Sequence, residues 1–318
     1  MADKKIIAVV GATGAQGGGL VRAILADPNG GFAARAITRD VKSEKAQALA
    51  QAGAEVVAAD IDDEAALTKA LRGAHGAFFV TFFWAHFSAE REFAEARSMA
   101  RAAKAAGIKH VVWSTLEDTR QWVPLSDNRM PTLQGKYKVP HFDAKGEADQ
   151  LFKDAGVPTT FMRASFYWEN FIYFGQGPQR GSDGKLMLGL PMGKEKMAGI
   201  AAEDIGRCVY GILRKGDSMI GKTVGLAGEH LTGDEMAAEF TKALGQEVVY
   251  RPMTHAAFRT LGFPGADDLG NMFQVYTEFA GPLNETRSVK GSKELNPKLQ
   301  SFRTWLMENA KKIPVPAK

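Results

Sequence analysis

Hydrophobic positions in the first half of the chain fall into short runs, separated by longer stretches rich in alanine, leucine and charged residues. Six runs have the length of a β-strand, at residues 6–10, 33–38, 54–60, 77–83, 110–115 and 159–165. Near-continuous apolar strands that alternate with helices are typical of a parallel sheet covered on both faces. The pattern therefore predicts an α/β fold built on a doubly wound parallel sheet.

Glycine residues mark the ends of the predicted helices. Gly107 follows an alanine-rich stretch at 89–106, and Gly73 and Gly156 follow two further helical patterns. Glycine commonly ends a helix because it adopts the left-handed backbone conformation at little cost. These positions agree with the alternation of strands and helices.

After about residue 166 the alternation loosens, which predicts a smaller C-terminal α/β lobe. We expect a nucleotide-binding domain at 1–165 and this smaller lobe at 166–318. The boundary is soft, because segments such as 223–227 can return to the first sheet.

Two helices of the second half have recognisable ends in the sequence. Thr232 and Glu235 have the spacing of a capping box, which predicts a helix that Gly245 ends. Asn296 before Pro297 predicts the start of the last amphipathic helix, because asparagine caps well and proline suits the first helical position.

Composition and charge narrow the class of protein. The 40 lysines and arginines and 36 acidic residues are interspersed, for a net charge of +4, without the basic stripe typical of nucleic-acid binding. The single cysteine, Cys208, excludes an intrachain disulfide and fits a reducing compartment. The sequence has no signal-peptide pattern and no apolar run near the ~18 residues of a membrane span. We therefore expect a cytoplasmic protein that binds neither nucleic acid nor a membrane.

The first apolar run leads into a glycine-rich turn. Gly11-x-x-Gly14-x-x-Gly17 follows the strand at 6–10 and opens a helical pattern. Glycines here permit a tight turn, let backbone N–H groups approach a pyrophosphate, and keep the helix close to the sheet. Because the triplet lies in the first unit of a βαβ series, it predicts a Rossmann domain that binds a dinucleotide. A glycine-rich turn without a ligand is the alternative.

The end of the second strand selects between NAD and NADP. An acidic residue about 20 positions after the glycines would hold the ribose hydroxyls of NAD. This chain has Arg39 there, with Lys42 close behind, and a guanidinium can bind a 2′-phosphate bidentately. Asp40 is the competing ribose acid. The sequence predicts NADP(H) as the cofactor.

Later strand ends supply further candidate contacts. Ligands of open parallel sheets lie beyond the carboxyl ends of the strands. This places Asp60 near the adenine and Thr81, Phe82 and Phe83 near the ribose and nicotinamide. A buried core strand is the alternative interpretation of the aromatic run.

Together, motifs along nearly the whole chain resemble the NmrA-like group of atypical short-chain dehydrogenases, most closely the HSCARG type. The motifs are GATGAQGG (11–18), TR (38–39), GAEVV (53–57), HFDAKGE (141–147), GVPTTFMR (156–163), YWENF (167–171) and LGFPGADDLGNMF (261–273).

The resemblance implies a Rossmann domain with NADP(H) as ligand, a regulatory or redox-sensing role with a protein partner, and a homodimer. Carried over by position, it implies cofactor contacts from Gly11, Ala12, Thr13, Gly14, Ala15, Gln16, Gly17, Arg39, Lys42, Asp60, Thr81, Phe82, Phe83, Lys145, Tyr167 and Asn170. Two departures stand out. Ala94 replaces a lysine that reaches the cofactor in the HSCARG type, and the segment 116–140 is longer here. We expect residues 117–140 to cover the site as a lid.

Catalytic short-chain dehydrogenases carry Tyr-x-x-x-Lys and a serine beside the nicotinamide. Here the motif is His141-x-x-x-Lys145, and Ser114 occupies the place of the serine. Residues i and i+4 share a helix face, so both can meet one ligand. We expect Lys145 to bind the nicotinamide ribose. His141 either donates a proton as an imidazolium or makes an ordinary polar contact.

Two functions follow from these residues. An intact dinucleotide site beside an altered Ser-Tyr-Lys set favours an NADPH sensor or regulator. Ser114, Lys145 and the aromatic segment 165–171 keep open an NADPH-dependent reductase of quinones or other small flat carbonyl compounds. The other histidines, at 75, 86, 110, 230 and 255, show no metal-ligand spacing, so no metal site is predicted.

Overall fold

The computed structural model describes residues 4–181 and 183–316. Its strands are β1 (Lys5–Val10), β2 (Phe32–Thr38), β3 (Glu55–Ala58), β4 (Gly76–Phe79), β5 (His110–Thr115), β6 (Thr159–Arg163), β7 (Phe166–Tyr167), β8 (Gln179–Arg180), β9 (Leu186–Leu188), β10 (Met197–Ile200), β11 (Thr223–Leu226), β12 (Glu229–Leu231), β13 (Val248–Tyr250) and β14 (Arg287–Ser288). Its helices are α1 (Ala15–Leu25), α2 (Glu44–Gln51), α3 (Glu64–Leu71), α4 (Ala89–Ala106), α5 (Pro140–Asp154), α6 (Asn170–Tyr173), α7 (Ala202–Lys215), α8 (Gly233–Leu244), α9 (His255–Arg259), α10 (Ala266–Glu278), α11 (Ala280–Thr286), α12 (Val289–Leu295) and α13 (Phe302–Asn309). Within the described ranges, no helix has the length and apolarity that crossing a membrane requires.

Eight strands form one parallel sheet, in the order β14-β11-β6-β5-β4-β1-β2-β3. The chain runs from β1 outward to β3 and then returns to β4 on the other side of β1, which is the doubly wound connection. Buried apolar side chains lie on both faces of this sheet, against α1 and α7 on one face and α3, α4 and α5 on the other. The predicted fold class is confirmed, and the six apolar runs correspond to β1 to β6.

The second half of the chain divides between this sheet and a separate core. The segment 223–227, which the sequence left open, places β11 beside β6 in the large sheet. Two small sheets, β12-β10-β7 and β13-β9-β8, pack with α8, α10 and α13 around buried aromatic side chains. Residues 1–3 and 317–318, the outer ends of the two expected domains, lie outside the described residues.

The helix ends follow the local signals with one exception. Gly107 ends α4 with φ of 68°, and Thr232 and Glu235 form both bonds of the capping box of α8. The predicted start of the last helix at Asn296 is wrong, because α13 begins at Phe302 with Ser301 as its cap. Asn296 instead donates from Nδ2 to the buried carboxylate of Asp204 at 2.9 Å.

Helices α1 and α7 meet through their backbones. A Cβ on Gly206 of α7 would overlap the backbone of Gly19 and Leu20 in α1. A Cβ on Gly19 would stand 3.1 Å from the carbonyl oxygen of Glu203. The extra glycines after the glycine-rich turn therefore allow close helix packing, at the cost of intrinsic helix propensity.

A buried ion pair joins the end of β5 to β14. Arg287 donates from Nη1 and Nη2 to the two carboxylate oxygens of Glu117, at 2.7 and 2.8 Å. Their side chains are 2% and 1% exposed, and Arg287 Nε also donates to the carbonyl of Ala164 at 3.1 Å. Burial favours the neutral acid, but the guanidinium outweighs it and holds the pKa of Glu117 below its usual value.

Replacing Arg287 with methionine should lower the free energy of unfolding by about 3–5 kcal/mol, because buried Glu117 then loses both hydrogen bonds of its main partner and keeps only Arg163, whose Nη1 lies 3.6 Å from Oε1. Urea unfolding at neutral pH measures this change. The double variant Glu117→Gln with Arg287→Met removes both charges and should recover most of the loss. A double variant as unstable as Arg287→Met alone would contradict the explanation.

The sign of the pH effect follows from the lowered pKa of Glu117 in the folded state. The pair contributes fully above the unfolded-state pKa, about 4.3. Its contribution is lost as the pH falls through the lower folded-state pKa. The stability difference between the native chain and the double variant should therefore shrink in acid.

Candidate functional site

The candidate site lies at the carboxyl edge of the large sheet, where β1, β2, β4 and β5 end side by side. Ligands of open parallel sheets bind where successive strands diverge in opposite directions. That point lies here between β1 and β4, since β2 pairs with β1 on one side and β4 on the other. The predicted cofactor residues that follow these strands come together at this edge.

The turn between β1 and α1 forms a backbone cradle. Gly11 has φ of +69°, and a Cβ there would stand 2.8 Å from Val80 Cγ1. A Cβ on Gly17 would overlap the Gly11 carbonyl, so only glycine lets α1 approach β1 this closely. Gly14 is the N-cap of α1, and no side chain of the described chain caps that end. The first N–H groups of α1 are therefore available to an anion such as a pyrophosphate.

Gln16 connects the cradle to two other predicted site residues. Its Oε1 accepts a hydrogen bond from Ser114 Oγ at 2.9 Å, and its Nε2 donates to the Tyr167 hydroxyl. Burial raises the pKa of Tyr167, so the hydroxyl keeps its proton at neutral pH. Asn170 lies three residues further on, half-buried at the start of α6. Of the remaining turn residues, Ala12 and Gly17 are buried, Thr13 is half-buried, and Gly14 and Ala15 are exposed.

Two free cations follow β2. Arg39 and Lys42 are exposed, and neither side chain forms an ion pair within the described part of the chain. Asp40 is already engaged, because its Oδ1 accepts the backbone N–H of Lys42 at 2.8 Å. Asp60, beyond β3, uses Oδ1 in the same way for the N–H of Asp62 at 3.1 Å. The arrangement leaves positive charge, rather than a free carboxylate, beside the expected ribose position.

The three residues after β4 that were predicted to contact the cofactor differ in their exposure to solvent. Thr81 is 4% exposed and lies against α4 and α5. Phe82 is 59% exposed, whereas Phe83 is 3% exposed and packs edge-on against Trp84. Of the two aromatic side chains, Phe82 is the one open to a ligand, and both contacts stay predictions.

Lys145 is held by α4. It is 8% exposed, and its Nζ lies 2.5 Å from Glu92 Oε1 and donates to Thr81 Oγ1. Thr81 in turn donates to Glu92, whose carboxylate is fully buried. The expected cofactor lysine is therefore a buried ammonium that a carboxylate fixes in place.

Glu92 also belongs to a group of three titratable side chains next to Lys145. Ligand atoms of His86, Glu92 and Glu95 lie within 4.8 Å of one another, a spacing that suits a metal ion. However, His86 Nδ1 accepts the backbone N–H of Ser88 at 3.1 Å, so the neutral ring carries its proton on Nε2. Nε2 faces Glu95 Oε1 at 3.5 Å and Glu92 Oε2 at 3.7 Å. A metal needs the Nε2 lone pair, so the geometry favours a proton-sharing cluster over a metal centre.

His141 is bonded to the second half of the chain. Its Nδ1 lies 2.7 Å from Asp268 Oδ1 on α10, and its backbone N–H donates to Asp268 Oδ2 at 3.2 Å. The ring is enclosed by aromatic side chains, with centroids 4.8 Å from Trp84 and 5.8 Å from Phe83. The carboxylate fixes the ring through Nδ1, so any ligand would have to meet Nε2, which the surrounding aromatic side chains enclose.

The long segment 117–140 is anchored rather than open. Lys138 Nζ donates to the carbonyl of Met130 at 2.9 Å inside the segment. From α10, Asn271 Nδ2 donates to the carbonyl of Pro131 at 3.0 Å. The segment therefore packs against α10, and its role as a lid stays a prediction.

Four residues that hold the site together were not predicted. They are His86, Glu92, Glu95 and Asp268. Glu92 and Glu95 lie on the buried face of α4, which also carries Ala89, Ala96 and Met99. Acidic residues at apolar positions of a helical pattern could have been recognised in the sequence. His86 and Asp268 carry no such signal, because their partners lie on other elements.

Comparisons with known proteins agree with this architecture. A family model described as the NmrA-like family matches residues 3–306. The chain is 30% identical over 297 residues to an NmrA-like family domain-containing oxidoreductase, FrzB, of Cladobotryum sp, covering 87% of this chain and 84% of that protein. It is 29% identical over 275 residues to quinone oxidoreductase 2 of Escherichia coli strain K12, covering 84% and 85%. The structure of NmrA, a negative transcriptional regulator, in complex with NADP is similar with a TM-score of 0.78 and 24% identity, covering 96% of this chain and 95% of that one.

Proposed function

The chain belongs to the NmrA-like family, and from this membership we propose that it binds NADP(H) and acts as a redox sensor. Solved relatives of the same fold include NmrA in complexes with NADP and with NAD, and a triphenylmethane reductase complexed with NADP(H). In this chain the N–H groups at the start of α1 would hold the pyrophosphate. Lys145 would hold the nicotinamide ribose.

The charges after β2 support NADP(H) over NAD. Arg39 and Lys42 are exposed and free of ion pairs within the described residues, so they can bind a 2′-phosphate without breaking an existing contact. One carboxylate oxygen of Asp40, Oδ1, already accepts a hydrogen bond from the backbone N–H of Lys42. A 2′-phosphate therefore meets two cations there, whereas a bare ribose meets an exposed Asp40 carboxylate of which one oxygen is already bonded.

Replacing Arg39 with alanine should weaken NADPH binding by about tenfold or more, because charge-assisted hydrogen bonds to the 2′-phosphate are lost. NADH binding should change little, since NADH has no 2′-phosphate. Isothermal titration calorimetry measures both dissociation constants. Lys45→Ala, an exposed lysine on the neighbouring α2, is the matched control. Native protein that binds NADH more tightly than NADPH would contradict the proposal.

One observation carries the sensor function, namely that the nicotinamide end of the site is bonded directly to the second half of the chain. His141 precedes Lys145 by one helical turn on α5, and Asp268 on α10 bonds both its ring and its backbone N–H. A cofactor that binds Lys145 would therefore also act on α10. A sensor requires an element whose two arrangements bind the cofactor with different affinity, and packed, hydrogen-bonded groups such as these can carry that coupling.

NADPH should slow amide hydrogen exchange in α10, residues 266–278, because ordering α5 stabilises the contact with Asp268. In Asp268→Ala this protection should disappear from α10 while protection of the turn at 11–17 remains. Asp267→Ala, an exposed neighbour, is the control and should behave like the native chain. Protection confined to the turn in the native protein would speak against a sensor.

The hydrogen-bonded pair of His141 and Asp268 also favours a second function. This function is an NADPH-dependent reductase of quinones or other flat carbonyl compounds. Asp268 anchors Nδ1 of His141, which leaves Nε2 to hold a proton toward an acceptor. When bound, NADPH supplies a hydride. Relatives named as oxidoreductases, including a quinone oxidoreductase, support this alternative.

NADPH absorbance in the presence of quinones, aldehydes and ketones separates the two functions. If the protein is a reductase, His141→Asn should lower turnover by about 10²–10⁴-fold, since the amide can keep the Asp268 bond but cannot donate the proton. Lys145→Ala should abolish turnover, and His75→Asn, at the opposite edge of the sheet, should leave it unchanged. Steady turnover that Lys145→Ala abolishes would rule out a pure sensor, and binding without turnover across the panel would remove support for the reductase.

A further inference from the structure

Beside the expected nicotinamide lies a buried cluster of titratable groups that neither proposed function uses. Glu92, Glu95 and His86 form this acid cluster, and Lys145 borders it. Their side chains are at most 10% exposed. His86 Nε2, Glu92 Oε2 and Glu95 Oε2 have no hydrogen-bond partner among the described residues, although all three are buried. Polar atoms buried without partners are rare and call for a functional explanation.

The net charge of the acid cluster and Lys145 depends on one group. The charges of the Lys145 ammonium and the Glu92 carboxylate cancel, since Lys145 Nζ lies 2.5 Å from Glu92 Oε1. His86 is neutral, because burial lowers its pKa and Nδ1 accepts the Ser88 N–H. Burial, reinforced by the charge of Glu92, raises the pKa of Glu95 to about 7. The cluster with Lys145 is therefore neutral when Glu95 is protonated and carries one negative charge when it is not.

Other charged groups face Glu95 from neighbouring elements. On its own helix, Arg91 Nε lies 3.3 Å from Glu95 Oε1. From the turn before α3, Asp62 pairs with the same guanidinium at 2.7 Å. Both Arg91 and Asp62 are about half exposed, so water screens them more than it screens the buried cluster.

We infer that Glu95 sets the preference of this site for oxidised over reduced cofactor, which rests on the proposed binding of NADP(H) beside Lys145. Ionised Glu95 adds one net negative charge beside Lys145, because Arg91, its nearest cation, is shared with Asp62. The nicotinamide ring of NADP⁺ is positively charged and that of NADPH is neutral. The same charge therefore favours NADP⁺, and the preference is lost when Glu95 is protonated.

The effect is electrostatic and reciprocal. Little water screens a buried charge, and Glu95 lies next to His86 and Glu92, whose Oε1 is 2.5 Å from Lys145 Nζ, so the charge of Glu95 acts on the group expected to hold the ribose. By linkage, bound NADP⁺ must lower the proton affinity of Glu95 by the factor by which ionised Glu95 tightens NADP⁺. Proton release on binding is thus a second measure of the same coupling.

Calorimetric titration of the full-length protein with NADP⁺ and NADPH, at about pH 6 and about pH 8, tests the inference. The ratio of the NADPH to the NADP⁺ dissociation constant should rise roughly fivefold with pH. The 2′-phosphate also titrates in this range, but both cofactors carry it, so its effect cancels in the ratio. Glu95→Gln should hold the ratio at the acidic value at both pH values.

Glu90→Gln, an exposed acid on the first turn of the same helix, is the matched control and should keep the native pH dependence. A native ratio that does not change with pH, or a pH dependence that persists in Glu95→Gln, would overturn the inference and assign the effect to another group. Failure of the native chain to bind either cofactor would instead defeat the proposed function itself.

A measurement on the native chain alone tests the same inference even if Glu95→Gln does not fold. Titrations near pH 7 in buffers of different ionisation enthalpy count the protons released on binding. NADP⁺ should release a fraction of a proton that NADPH does not. Equal proton release by the two cofactors would overturn the inference.

Discussion

The site depends on how closely α1 can lie against its neighbours. Gly17 lets the start of α1 rest on Gly11, and Gly19 lets its middle rest on Gly206 of α7. Both contacts are between backbones, so no rotamer change can loosen them. The N-terminus of α1 is therefore fixed relative to the ends of β1 and β4, and its free N–H groups point at one place.

Two buried ion pairs hold other parts of this edge in place. Lys145 reaches across from α5 to Glu92 on α4, and Glu117 beyond β5 reaches Arg287 on β14. A buried charge is costly without a partner, so each pair requires both of its elements to be in place. Lys145 and Glu92 both belong to the first half of the chain, whereas Glu117 and Arg287 join the first half to the second, so the segment after β5 depends on β14 being in place.

The alternation of apolar runs was enough to predict β1 to β6 and the doubly wound sheet, because strand and helix periods are local properties of the sequence. The local signal was incomplete at Asn296. Its Oδ1 accepts the N–H of Lys298 at 3.1 Å, as a cap would, but Asp204 Oδ2 accepts the N–H of Gln300 at 2.8 Å, so the chain forms a turn there and not a helix. The site was predicted only in part. Lys145 and Gly11 belong to motifs, whereas Asp268 is recognised only when folding brings α10 to α5, and the proton position on His86 depends on a backbone contact that no spacing reveals.

The proposed sensor and the alternative reductase would both require movement of one aromatic segment. His141 is 6% exposed, and its ring lies under Trp84 in a segment where Phe87 takes φ of 54°, a conformation that costs energy outside glycine. For Nε2 to meet a substrate, this aromatic segment must shift. Because Asp268 bonds His141 from α10, any shift of the ring also reaches the second half of the chain. Turnover and signalling would therefore use one mechanical element, and whether an acceptor fits under Trp84 decides which of them results.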